Sequence, residues 1–232
     1  MSVNDLVLVQ GMRDTKLALE RWNREPGVVL RPWCLLSIAI AMALLLATYA
    51  VAKLTTPDHT IYLIPGYNAD VTIADYGRVL FRNSLVLALH ALACVAGFMA
   101  GSSLPLSAAH RSGISRWVHE KAGPFAIAFV VCATLFSLGT QAYIIGGGAA
   151  SIAGQIGTSP GYLMLALLPH AVPELFALFL PLAAWMIASR RDAWHELLAA
   201  TFVTVAIAIP ILLAAAAIEV WVSPHILVSL GN

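Results

Sequence analysis

The sequence predicts an all-α integral membrane protein. It should have five transmembrane helices, a cytoplasmic N-terminus, and a re-entrant or broken segment before the fourth helix. Three observations carry this expectation. Hydrophobic residues make up 60% of the chain and charged residues 11%, against about 25% charged in soluble domains, and the mean hydropathy is +0.84. Five apolar runs each approach the ~20 residues that a bilayer-crossing helix needs. Lys and Arg then alternate across the runs: five precede Pro32, three fall in Ser102–Ala122 and two are Arg190 and Arg191. By the positive-inside rule these segments are cytoplasmic and Asn232 lies outside.

Composition also narrows function. A formal net charge of +1 argues against a nucleic-acid surface, which needs clustered cations. Cys34, Cys94 and Cys132 sit in apolar segments without C-x-x-C spacing, so helix packing is preferred to a metal or redox role. No cofactor and no metal is expected.

Residues 1–32 form a mixed, polar cytoplasmic tail, in which Asp14–Asn23 suits an amphipathic helix on the membrane surface; residues 33–232 form the five-span domain. The spans read as Trp33–Leu54, Arg78–Gly101, Gly123–Ile145, Tyr162–Ser189 and Leu197–Val222. Thr55–Gly77, with its prolines, glycines and acids, suits an extracytoplasmic loop. Ala93, Gly97 and Gly101 recur every four residues in span two, a face that lets helices approach closely. Ser112–Lys121 suits a short helix parallel to the membrane. Gly146–Gly161 is rich in Gly, Ser and Ala without a cation. It reads as a re-entrant or interfacial piece, ended by a break before His170. Ser223–Asn232 reads as a short tail.

The stretch Leu167–Met186, LLPHAVPELFALFLPLAAWM, is apolar yet carries His170 and Glu174 one turn apart. Residues at i and i+4 share a helix face, and ionisable groups in membrane segments usually face a bundle interior or a cavity. Arg82 and Asn83 open span two and Glu219 lies late in span five, so these five residues share a depth near the outer ends of their helices. Mutual neutralisation predicts a bidentate pairing of guanidinium with carboxylate. The preferred reading is an internal polar network that fixes helix packing. The alternatives are a site for an ion, proton or polar headgroup, and a metal-dependent catalytic centre. H-E-x-x-H and its reverse, the zinc-protease patterns, are absent from the sequence.

Three segments resemble the stage II sporulation protein M family: RNSLVLAL opening span two, LLPHAVPELFAL beside its Pro-His-Gly-x-x-Glu motif, and AAAAIEVWVSP in span five. The similarity runs roughly from Trp33 to Pro224, and it carries over Asn83, His170, Glu174, Glu219 and Pro224. Ala171 departs from it, standing where the family usually has Gly. The resemblance implies a non-enzymatic membrane scaffold, since sporulation members of the family look like anchors for cell-wall hydrolases. The layout is also similar to membrane subunits of type-2 ABC exporters, which implies an alternative: a permease-like subunit working with a separate ATPase. In that case Arg111, Arg116 and Lys121 would be the cytoplasmic contact. On either reading the partners are the lipid bilayer and other membrane or cell-envelope proteins. Gly/Ala-rich faces permit an oligomer, and no nucleic acid is expected.

Overall fold

The structure, a computed structural model, describes residues 7–58, 61–103 and 113–230. Among the described residues it is helical throughout apart from turns, loops and one isolated bridge, Pro65 to Ala69. The helices are α1 (Val7–Arg24), α2 (Pro26–Leu54), α3 (Ile73–Phe98), α4 (Gly113–Ile156), α5 (Pro160–Arg190), α6 (Leu197–Ala217) and α7 (Ser223–Leu230). π-helical turns follow α3 at Met99–Ser103 and α6 at Ile218–Val222. Five helical segments are long and apolar enough to cross a membrane: Pro26–Leu54, Ile73–Gly101, Ile127–Ile156, Pro160–Arg190 and Trp194–Ser229.

Several boundaries differ from those read in the sequence. The glycine-rich run is helical and there is no break immediately before His170: α4 continues through the run to Ile156, and α5 runs unbroken past Pro169 and Pro173. Where water is excluded, an unpaired backbone group costs several kcal/mol (roughly, by), far more than glycine's weak helix propensity. The small residues serve packing instead, for Ala149, Ala150 and Ala153 are buried. A Cβ on Gly146 would come within 2.8 Å of the Thr48 carbonyl oxygen.

The real interruption is a three-residue turn. Gly157 has φ +76°, its N–H bonds Gly154 O at 3.2 Å, and Thr158 N–H bonds Ala153 O at 2.9 Å. This is a Schellman cap, which asks for a residue in the left-handed region. Ser159 then caps α5, accepting from Tyr162 N–H at 3.3 Å, and Pro160 occupies the first helical position, where its missing N–H does no harm. Nor is Ser112–Lys121 a separate short helix, because α4 is continuous from Gly113.

The chain forms two compact units. The first comprises Met1–Ser37, Val86–Thr134 and Leu178–Ala208. Here α1 is docked rather than solvated. Gly11 lies against Leu198 and Phe98, the Arg21 guanidinium pairs with Glu196, and Trp22 meets Trp33 edge-on with centroids 5.2 Å apart. The close-approach face of α3 and the π-helical turn that follows it is Cys94, Gly97 and Gly101. Cys94 is fully buried and donates to Pro181 O at 3.2 Å. Gly97 faces Trp185, and Gly101 faces Trp194.

The second unit comprises Ile38–Leu85, Leu135–Ala177 and Ile209–Asn232. The segment expected to be an open outer loop is folded here onto α4. Asp58 N–H donates to Ser151 Oγ at 3.1 Å, and Tyr62 N–H to Gln155 Oε1 at 2.8 Å. Gly66, at φ +80°, is seated on Pro224 with no room for a Cβ.

Candidate site: a polar cavity in the second unit

A cavity of about 930 Å³ opens within the second unit. Asp75, Arg78, Arg82, His170, Glu219 and Ser223 give it polar groups, while Phe81, Ile152, Leu163, Leu167, Val220 and Leu227 supply apolar wall. Each polar residue is placed by a local rule. Thr72 and Asp75 form the acid half of a capping box at the start of α3: the Thr72 N–H and hydroxyl both donate to Asp75 Oδ2, at 2.8 and 2.7 Å, so the N-cap backbone donor is satisfied. Asp75 Oδ1 pairs with the Arg78 guanidinium one turn on. Arg82 follows at i+4 and so shares the face of Arg78.

Glu219 sits in the π-helical turn Ile218–Val222, closed by Ser223 N–H to Ile218 O. Pro224 explains the widening. Its ring would collide with the carbonyl of Val220 in a regular helix, and one extra residue in the turn relieves that clash. The segment expected to be a tail is therefore α7, and its Ser223, Pro224 and Leu227 line the cavity.

Of the five residues singled out from the sequence, Arg82, His170 and Glu219 line the cavity. Glu174 is close enough to interact with Glu219, the Asn83 amide and Arg82, and Glu219 interacts with Arg82. The expected bidentate clamp does not form: among the described residues Arg82 makes no direct ion pair with either carboxylate. The attraction between Arg82 and the two carboxylates therefore acts at longer range than a salt bridge. His170 takes a different partner, with Nδ1 2.7 Å from Ser223 Oγ. Asn83 is buried, and its Nδ2 approaches Glu174 without completing a hydrogen bond.

Asp75, Arg78 and Ser223 belong to the lining and were not legible as such. The Thr-x-x-Asp spelling at Thr72–Asp75 was the available signal for the first of them. Gly157–Gly161 spells G-x-S-x-G, the pattern of a nucleophile elbow, but that motif needs a strand leading into a helix. Here α4 leads in, and the Ser159 hydroxyl is used as a cap. Among the described residues no three His, Cys, Asp or Glu gather as a metal-ligand set. Arg111 lies outside the described residues, as do the side chains of Arg116 and Lys121.

These features define a class: a multi-pass, all-helical membrane protein with a polar cavity in its second unit. Comparison with protein-family models, curated proteins and solved structures finds no match to this chain.

Proposed function

We propose that this chain is a non-enzymatic membrane scaffold, a subunit that holds other proteins together in the cell membrane of a prokaryote, as the resemblance to the sporulation protein M family implies. Its N-terminus is cytoplasmic. The observation that supports a subunit role is the third span, Ile127–Ile156, whose most apolar window is only 6% buried, against 22–39% for the other four. Apolar exposure alone suits lipid. Polar groups there do not, and the half-buried Gln141 donates to Oγ of the exposed Ser137 at 3.0 Å on this helix, beside a Gly139 with open space around it. Polar side chains and small residues on a membrane helix favour a partner helix. The occupant is a transmembrane helix of another subunit.

A permease-like role beside a separate ATPase is the second reading, favoured by the charged cavity. One experiment addresses both. A photo-crosslinking residue replaces Gln141 in the full-length chain, and the adducts are purified from native membranes in mild detergent. A protein adduct is expected; adducts to lipid alone would overturn the subunit role. An envelope protein in the adduct supports the scaffold, and an ATPase co-purifying with it supports the permease.

A further inference from the structure

We propose that a basic pocket in the first unit binds the phosphate of an anionic phospholipid. This goes beyond a scaffolding role and does not depend on it. The pocket encloses about 410 Å³, within the range of sites that hold small molecules (roughly 300–1,000 Å³). It lies where α1, the start of α2 and the end of α5 meet, and its charged lining is Arg21, Arg24 and Arg191 with Glu25 and Glu196.

Charge sets the sign. The Arg21 guanidinium is taken by Glu196. That leaves Arg24 and Arg191 against Glu25, and among the described residues none of these three makes an ion pair. The lining thus carries one positive charge more than it can neutralise from within. Just outside it, the exposed Arg190 and Asp192 offset each other. Planar guanidiniums suit a phosphate, whose oxygens accept from their forked N–H groups. Local structure holds both free arginines. α1 is fixed through Gly11, which lies against Leu198 and Phe98, and through the Arg21 pair, so Arg24 is carried with it one turn on. At the end of α5, Arg191 N–H and Ala193 N–H both bond Ala188 O, at 3.1 and 2.9 Å, with Asp192 at φ 51° between them. This cap fixes the backbone at Arg191.

Depth selects a lipid over a soluble anion. Two helices long enough to cross a bilayer end at the pocket: Pro26–Leu54 begins there and Pro160–Arg190 finishes there. Headgroup phosphates lie at that level, and basic pockets between membrane helices hold anionic headgroups there. Val28, 66% exposed, stands beside Val29 and Ile187 in the same lining, apolar surface for the glycerol and first methylenes. Trp22 and Trp33, edge-on to each other, complete the wall with rings of the kind that favour a membrane interface.

The test is native mass spectrometry of the full-length chain in mild detergent, titrated with dioleoyl phosphatidylglycerol or dioleoyl phosphatidylethanolamine. The first phosphatidylglycerol should bind about fivefold tighter than the first phosphatidylethanolamine, the contribution of roughly one cation near an anionic lipid. Arg24→Gln with Arg191→Gln should remove that preference. Val28→Glu, which brings a negative charge to the lining from an exposed position, should remove it too and keeps the test decisive if the arginine variant fails to fold. Arg13→Gln alters a cation of α1 outside the lining and should leave the preference intact. Equal affinity for the two lipids, a preference that survives both pocket variants, or an equal loss with Arg13→Gln would overturn the proposal. Inorganic phosphate that displaces phosphatidylglycerol at equal concentration would overturn the lipid in favour of a free anion.

Discussion

Gln155 grips both sides of the Tyr62 backbone. Its Oε1 accepts from Tyr62 N–H at 2.8 Å and its Nε2 donates to Tyr62 O at 2.9 Å. Asn68 repeats the pattern from within the segment, donating to Tyr62 O at 2.8 Å and accepting from Ile64 N–H at 2.6 Å. The connection between α2 and α3 is thereby tied to the end of α4, and its Ile64 and Pro65 form part of the cavity wall. Replacing Gln155 with Ala should cost about 1–3 kcal/mol, because two backbone groups lose their partner. Limited proteolysis would show faster cleavage within residues 57–68, while the helical circular dichroism stays constant.

Adjacent glycines in α4 should respond oppositely to the same change. A Cβ at Gly146 meets Val51 and the Thr48 backbone, whereas one at Gly147 meets nothing within 4 Å. Gly146→Ala should lower stability by about 1–3 kcal/mol through overpacking. Gly147→Ala should be neutral or stabilising by up to about 1 kcal/mol from helix propensity. Thermal melts in one mild detergent would compare them, and equal melting temperatures would contradict the packing assigned to this face.

The two caps of α4 and α5 offer a paired test of backbone strain. Gly157 and Asp192 both hold positive φ, 76° and 51°. Gly157→Ala should destabilise by roughly 1 kcal/mol, since alanine resists that conformation. Asp192→Gly should be neutral to mildly stabilising, since glycine adopts it without the Cβ penalty. Chemical denaturation in mixed micelles would measure both.

Arg82, Glu174 and Glu219 should behave as one coupled unit, though a loose one. With no direct clamp, Arg82→Gln and Glu174→Gln together should depart from additivity by about 0.5–3 kcal/mol. Strict additivity in a double-mutant cycle read by thermal unfolding would show that the charges do not communicate.

Orientation is testable in intact cells with a membrane-impermeant thiol reagent, in a background lacking Cys34, Cys94 and Cys132. Asn68→Cys should label and Arg116→Cys should not, because cations favour the cytoplasmic side. The reverse pattern would invert the topology.

The number of spans was legible in the sequence, because hydropathy accumulates along the chain residue by residue and needs no knowledge of neighbours. So was the list of unusual polar residues, since Arg82, His170, Glu174 and Glu219 stand out against apolar surroundings. The fate of Gly146–Ile156 was misread, because glycine marks a turn in water but a packing face where backbone groups cannot go unpaired. What only the tertiary structure decided is who meets whom: Ser223 and not an acid at His170, and a longer-range attraction rather than a clamp between Arg82 and its two carboxylates. Those outcomes depend on how each helix is rotated, and here on a single widened turn before Pro224 that sets the direction of Glu219. Rotation is fixed by close packing of facing side chains, so nothing local to any one segment could have specified it.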